Sequence, residues 1–373
     1  MPKLKVMTIL GTRPEIIRLS EVIKACERHF DHQLCHTGQN WDYTLNEVFF
    51  KDLALKPPDF YLDCAGADLG ETIGNVITRS YALLAKERPD ALLILGDTNS
   101  ALCAISAKRL KVPIFHMEAG NRCFDQNVPE EINRKIVDHI SDVNLCYTEH
   151  GRRNLIHEGL PARYVFVTGS PMREVLEKNR NSIEKSEVLS HLGLDKGKYI
   201  VLSAHREENV DHEGHFLPLM EAINAVAGEY SLPVLYSTHP RSRKRIEECG
   251  FKFHELVRSF PPFGFHDYVN LQQNAFCVLS DSGTLSEESA VLSFPAVLIR
   301  TSTERPEAME AGSIVIGGIK TETIIPAIKM ARSDLAERVP YDYGDANVGG
   351  KVTRIVQGYV GIVNENVWRK GYL

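Results

Sequence analysis

Three acidic residues stand at or just beyond the ends of apolar runs: Asp97 in Gly96-Asp97-Thr98-Asn99-Ser100, Glu118 in Glu118-Ala119-Gly120, and Glu130 in Pro129-Glu130-Glu131-Ile132-Asn133-Arg134. Carboxylates gathered at consecutive strand ends can remove and return protons, which is general acid–base work. Each also has a purely structural reading: Asp97 as a helix cap, Glu118 as half of a buried ion pair, Glu130 as a first-turn carboxylate favoured by the helix dipole. Taken together they point to a site. Near the start, Gly11-Thr12-Arg13-Pro14-Glu15 follows an apolar run, and Pro14 suits the first turn of a helix. Free amides there, with Arg13 and Arg18, make an anion site. The competing reading is a glycine turn, a capped helix and two solvated arginines.

The second half presents complementary groups. One apolar run ends in Ser203-Ala204-His205-Arg206-Glu207-Glu208-Asn209, and another in Ser280-Asp281-Ser282-Gly283-Thr284, which opens a helix carrying Glu287 and Glu288. A small-residue turn feeding a helix N-terminus can cradle a diphosphate with backbone amides, and a glutamate just inside can take ribose hydroxyls. His205 beside Arg206 reads as a ligand contact, against the alternative of a structural histidine. Arg300 and Arg305 add positive charge after a later strand. The expectation is an acidic half and a basic half.

Elements that would position these groups alternate along the chain. Strands are predicted at 4–10, 33–37, 91–95, 112–116, 143–147 and 164–168, with helical patterns between them such as Ile73, Val76, Ile77, Tyr81 and Leu84. The second half repeats the pattern, with strands at 199–203, 234–237, 277–279, 297–299 and 314–316. Such alternation implies βαβ units and parallel sheets. A polar stretch at 173–198 separates two domains, 1–172 and 173–351, and a final amphipathic helix of about 352–373 can pack back on the first. Two doubly wound sheets facing each other would hold a ligand in the crevice at their strand C-termini. One large doubly wound domain is the alternative.

At 373 residues, with 43% hydrophobic and 25% charged residues, the chain has the profile of a soluble globular protein of about two domains. No run reaches the ~18 to 20 apolar residues of a membrane span. The start, Met1 to Val6, lacks the features of a signal peptide, so a cytoplasmic location is expected. A net charge of −6 argues against a nucleic-acid partner. Eight cysteines without a C-x-x-C pair suggest neither zinc nor a disulfide framework. No G-x-G-x-x-G, no P-loop and no H-E-x-x-H occurs, so no dinucleotide, no metal and no other cofactor is expected. The residues therefore read as a metal-free nucleotide-sugar enzyme.

Seven segments in order carry a resemblance: Gly11–Glu15, Gly96–Thr98, His116–Gly120, Pro129–Arg134, His205–Asn209, Asp281–Gly283 and Thr303–Glu307. Together they resemble the non-hydrolysing UDP-N-acetylglucosamine 2-epimerase family over nearly the whole chain. The resemblance implies an α/β, GT-B-like pair of Rossmann-like doubly wound domains facing a central cleft, usually dimeric, with UDP held mainly by the C-terminal domain. It implies that Asp97, Glu118 and Glu130 match catalytic carboxylates, that Arg13 and His205 match active-site residues, and that Ser282, Gly283, Glu288 and Arg305 match UDP contacts. Arg18, Arg134, Arg206 and Thr284 are further expected substrate or UDP contacts.

Four positions depart from the common pattern: Arg18 for a usual lysine, Thr284 for a second glycine, Asn121 for a leucine, and Asp42 for a glutamine of the substrate-activation site in some members. The combination of Gly11–Arg18, Met117–Phe124 and Asp281–Thr284 looks more like the capsule and O-antigen branch. Enzymes of that branch convert UDP-2-acetamido-2,6-dideoxy-L-talose to UDP-N-acetyl-L-fucosamine. The alternatives are a UDP-GlcNAc/UDP-ManNAc 2-epimerase and, more distantly, a GT-B glycosyltransferase.

Overall fold

The computed structural model describes residues 3–39, 43–333 and 339–371, with 43–47 described by their backbone alone. Asp42 lies outside the described residues, as do Met1, Pro2 and the last two positions of the expected final helix. Two compact units divide the chain: 1–177 with 342–373, and 178–341.

The first unit runs β1 (Lys5–Leu10), α1 (Arg13–His29), β2 (Asp31–His36), α2 (Tyr43–Asp52), β3 (Phe60–Tyr61), α3 (Leu69–Glu87), β4 (Ala91–Leu95), α4 (Cys103–Arg109), β5 (Ile114–Met117), α5 (Pro129–Ile140), β6 (Val143–Cys146), α6 (Glu149–His157), β7 (Val165–Val167) and the first half of α7 (Met172–Glu184), whose second half belongs to the other unit. Its strands are parallel in the order β3-β2-β1-β4-β5-β6-β7. All five residues of β4, Ala-Leu-Leu-Ile-Leu, are buried, as the central strand of a sheet covered on both faces requires. Helix α3 begins where the Asp68 side chain accepts from Glu71 N at 2.8 Å, satisfying one of the first-turn amides. Met7, Ile9, Leu92, Ile94 and Ile114 join Val76, Leu84, Ala104 and Val137 in one core cluster.

The second unit continues with α8 (Val188–Leu192), β8 (Ile200–Ser203), α9 (Glu207–Val210), α10 (Glu213–Tyr230), β9 (Val234–Ser237), α11 (Pro240–Cys249), β10 (Val257–Phe260), α12 (Phe265–Gln273), β11 (Cys277–Ser280), α13 (Thr284–Leu292), β12 (Ala296–Leu298), α14 (Pro306–Glu310), β13 (Val315–Ile316) and α15 (Thr321–Ser333). Its order, β10-β9-β8-β11-β12-β13, repeats the first sheet with one strand fewer, again all parallel. The last helix, α16 (Val348–Asn366), belongs to the first unit and packs on α1.

Two strands were not expected from the sequence, β3 and β10. Both are edge strands, one of two residues and the other, Val-Arg-Ser-Phe, without a buried residue, so neither shows the apolar run of a central strand. Residues 173–177 and 342–351 also differ from expectation: they lie in the first unit, not the second. Polar contacts hold them there. Glu149 N donates to the Asp342 carboxylate (3.0 Å), Ser170 N to Asp342 O (3.1 Å), and Gly349 N to the Glu174 carboxylate (2.9 Å).

Candidate active site

In each sheet the strand order reverses between two neighbours, β1 and β4 in the first unit, β8 and β11 in the second. Crossovers leave such a pair in opposite directions and open a crevice at the carboxyl ends, the place where doubly wound sheets bind ligands. The segments singled out by the sequence sit there: Gly11–Arg13 after β1, Gly96–Asn99 after β4, Ala204–Asn209 after β8 and Asp281–Thr284 after β11.

At the first switch point Gly11 must be glycine. A Cβ there would lie 2.0 Å from Thr37 Oγ1 and 2.2 Å from Ser100 Oγ, which hydrogen-bond each other at 2.8 Å. Glu15, in the first turn of α1, accepts from Gly11 N (3.1 Å) and Thr12 Oγ1 (2.8 Å) and so shapes the turn. Burial pushes its carboxyl up from 4.5 to about 7, against the opposing pull of the hydrogen bonds from Thr12 and Gly11. Arg13 is half-buried, its guanidinium 5.9 Å from the Phe49 ring. Arg18 is buried and donates to Glu118 Oε2 at 2.5 Å.

Glu118 takes a left-handed backbone, φ +64°, and is buried. A non-glycine residue held there stores strain, a pattern that concentrates at functional sites. Gly96 (φ +72°) leaves its carboxylate room, since a Cβ at 96 would meet Glu118 Oε2 at 3.3 Å. Gly120 (φ +80°) is forced by the Gly151 carbonyl, 2.2 Å from where its Cβ would be. Asp138 braces this loop through Gly120 N (3.2 Å) and Arg122 Nη1 (2.7 Å), and Arg122 also grips Glu158.

Asp97 receives Arg134 Nε at 3.0 Å in a two-pronged contact, while its carbonyl takes Asn133 Nδ2 at 3.0 Å. Arg134 is buried and also paired with Glu131. Arg134, expected as a ligand contact, thus also holds Asp97 in place. Glu130 stands half-buried in the first turn of α5. Within the first unit the structure therefore brings Asp97 and Glu118 to the ends of adjacent strands, each beside a guanidinium, with Glu130 at the start of the next helix.

At the second switch point the fully buried Asp281 ties the loop after β8 to the end of β11. It accepts from His205 N (3.0 Å), Arg206 N (2.9 Å) and Asn209 Nδ2 (3.1 Å), and lies 3.2 Å from His205 Nδ1. Ser282 Oγ and Thr284 Oγ1 are 2.9 Å apart in the turn that opens α13. Gly283 leaves space for Glu304, whose Oε1 would lie 2.6 Å from a Cβ. Glu288 is buried and accepts from Gln272 Nε2 at 2.7 Å.

The expected basic half is revised by the pairing of its arginines. Arg206 meets Glu304 at 3.2 Å, Arg300 meets Glu304 at 2.8 Å and Glu208 at 3.4 Å, and Arg305 meets Glu287 at 3.0 Å. An unpaired guanidinium in so buried a place is costly, so each carries a carboxylate with it. Sequence reasoning passed over Glu304, Glu131 and Asp281 as site residues. Their signal was present in the charged residues of the Thr303–Glu307, Pro129–Arg134 and Asp281–Gly283 segments. Among the described residues no group of three or more His, Cys, Asp or Glu side chains can hold a metal ion, and no helix is long and apolar enough to cross a membrane.

Two doubly wound units, one presenting carboxylates and the other a helix-opening turn at its switch point, define the GT-B-like class of nucleotide-sugar enzymes. Comparison with known proteins narrows the class. The model of the UDP-N-acetylglucosamine 2-epimerase family matches residues 24–357, and the chain belongs to that family. A solved structure of UDP-N-acetylglucosamine 2-epimerase from Rickettsia bellii is similar with 47% identity and a TM-score of 0.90, over 98% of this chain and 99% of that one. That of Methanocaldococcus jannaschii UDP-GlcNAc 2-epimerase, in complex with UDP-GlcNAc and UDP, is 34% identical with a TM-score of 0.90, over 95% of this chain and 100% of that one. A UDP-2,3-diacetamido-2,3-dideoxy-D-glucuronate 2-epimerase from Pseudomonas aeruginosa is 32% identical over 96% of this chain and 99% of its own.

Proposed function

We propose that this chain inverts C2 of a UDP-linked 2-acetamido sugar by eliminating and re-adding UDP. The carrying observation is the placement of Asp97 and Glu118 at the ends of adjacent strands, each against a guanidinium. C2 of such a sugar has no adjacent carbonyl, so its proton is barely acidic. If the C1–O bond to UDP breaks first, C1 becomes oxocarbenium-like and the C2 proton becomes removable. The products are a 2-acetamidoglycal and UDP; re-addition with protonation on the other face inverts C2. Two carboxyl groups on opposite faces of the ring serve as base and acid, which Asp97, Glu118 and Glu130 can supply. The leaving diphosphate needs amides and cations, assigned to Ser282, Gly283, Thr284, Arg206 and Arg305, with Glu288 on the ribose and Arg13 and Arg18 as further anion contacts.

In D₂O the product should carry one solvent deuterium at C2, and ¹⁸O placed in the bridging position should scramble into non-bridging β-phosphate oxygens. Asp97→Asn, Glu118→Gln and Glu130→Gln should each slow turnover by a factor on the order of 10² where that group transfers protons, with UDP affinity changing less. Retention of the original C2 hydrogen in the inverted product overturns the scheme.

The substrate read from Gly11–Arg18, Met117–Phe124 and Asp281–Thr284 is the 6-deoxy-L-talo sugar, giving UDP-N-acetyl-L-fucosamine for capsule or O-antigen. A member at 32% identity is named for a UDP-diacetamido uronate, which supports divergence of the sugar pocket at this distance. The relatives at 34% and 47% identity are named for UDP-N-acetylglucosamine, and this favours that sugar as the second reading. A pocket that makes no hydrogen bond to a 6-hydroxyl rejects it by leaving it unpaired. The 6-deoxy substrate should then show the higher kcat/KM; equal or better turnover of UDP-N-acetylglucosamine selects the second reading.

A further inference from the structure

We infer that Asp281 is a positioning residue that fixes the tautomer of His205, placing the ring's permanent proton on Nδ1 and making Nε2 the nitrogen that gains and loses a proton during turnover. The mechanistic half of this rests on the epimerase reading; the tautomer does not. Asp281 Oδ1 lies 3.2 Å and Ser203 Oγ 3.5 Å from His205 Nδ1; the carboxylate can only accept and the hydroxyl can accept as well, so a proton on Nδ1 suits both neighbours. Asp281 cannot turn away to another role. It is fully buried and held by His205 N, Arg206 N and Asn209 Nδ2 at 2.9 to 3.1 Å, and Asn209 is itself anchored to Ile299 O at 3.0 Å. The imidazole is about one-third exposed, its side chain at 35%.

The backbone and ring contacts act together. The same carboxylate that sets the ring's proton also sets the main-chain path of residues 205 and 206 across the switch point. A carboxylate behind an imidazole orients the ring and stabilises its protonated form, which suits a group that passes a proton to a departing phosphate oxygen. His239, with its ring centroid 6.0 Å away, and Arg206, backed by Glu304 at 3.2 Å, are among the other charged or titratable neighbours of His205.

The test starts on the full-length enzyme without ligand. Long-range ¹H–¹⁵N spectra, with His205→Gln used to assign one ring among the 14 histidines, report which nitrogen carries the proton. The Nδ1–H form is expected, and an Nε2–H form in the wild type overturns the proposal without any variant. Asp281→Asn keeps size and acceptor while its amide can donate, so the ring should switch to Nε2–H. kcat should fall roughly 10²-fold, the basic or acidic limb of the pH profile assigned to His205 should move, and the Kd for UDP should stay within about threefold. A variant with wild-type kcat and an unmoved pH profile overturns the proposal, because a merely structural role shifts thermal stability alone. Failure of the wild type to invert C2 of any UDP-sugar would instead refute the epimerase reading, while the ring spectrum still decides the place of Asp281.

Discussion

Glu15→Gln tests whether a carboxyl group is buried at the first switch point against its own charge. The Glu15 side chain is almost wholly buried, at 1% exposure, and its carboxyl is raised from 4.5 to about 7. A raised carboxyl binds its proton more tightly in the folded protein than in the unfolded one. Its contribution is therefore fully present below pH 4.5 and is lost as pH rises toward 7, where the folded protein must ionise a buried group. Each tenfold change in proton affinity corresponds to about 1.4 kcal/mol, so the full loss is roughly 3 kcal/mol. Glutamine keeps one oxygen for Gly11 N and Thr12 Oγ1 and cannot ionise. Calorimetric unfolding of both proteins from pH 5 to 9 should show little difference at the acid end. Above pH 7 the variant should be more stable by roughly 3 kcal/mol, several degrees in Tm for a unit of this size. A difference that stays flat across the range, or a wild type that gains on the variant between pH 5 and 7, refutes the reasoning.

Three other outcomes are expected. Gly120→Ala meets the Gly151 carbonyl at 2.2 Å in a left-handed backbone, and should cost upwards of about 3 kcal/mol in urea unfolding or abolish soluble protein. Gly283→Ala drives a methyl toward Glu304 Oε1 at 2.6 Å, so calorimetric titration should show UDP affinity weakened about tenfold or more, with Tm changed by only a few degrees. Epimerisation should survive exhaustive treatment with EDTA, since no ligand cluster is present among the described residues and arginines and amides can neutralise the diphosphate; strict dependence on added Mg²⁺ or Mn²⁺ would count against the reading.

What the sequence disclosed was local. The run Ala91–Leu95 announces a central strand because parallel sheets bury both faces, and Gly96-Asp97 marks its end without reference to anything distant. Glu118-Ala119-Gly120 likewise marks the end of β5, whereas the left-handed backbone of Glu118 was not legible and came only with the structure. Partners were not legible, because they come from far along the chain. Arg18 finds Glu118 across 100 positions and Arg206 finds Glu304 across 98, so charge counted along the sequence looked acidic in one half and basic in the other. Arg134 shows the limit at short range as well. Its guanidinium spans Asp97 and Glu131, the first of them brought within reach by the fold of β4 beside β5. The edge strands β3 and β10 escaped because an edge needs no continuous apolar run.

The return of α16 to the first unit has a consequence for how the chain is made. As the polypeptide leaves the ribosome, the whole of 178–341 emerges as one uninterrupted stretch and can finish folding. The first unit, although synthesised earlier, must wait. Until α16 arrives, the face of α1 that packs on it, with Gly349 fitted tightly beside the Glu21 carbonyl, stays uncovered. The order of completion is thus the reverse of the order of translation. A message that terminates before codon 342 yields a finished second unit joined to a first unit with an apolar stripe open to solvent, the kind of product that chaperones hold and proteases clear.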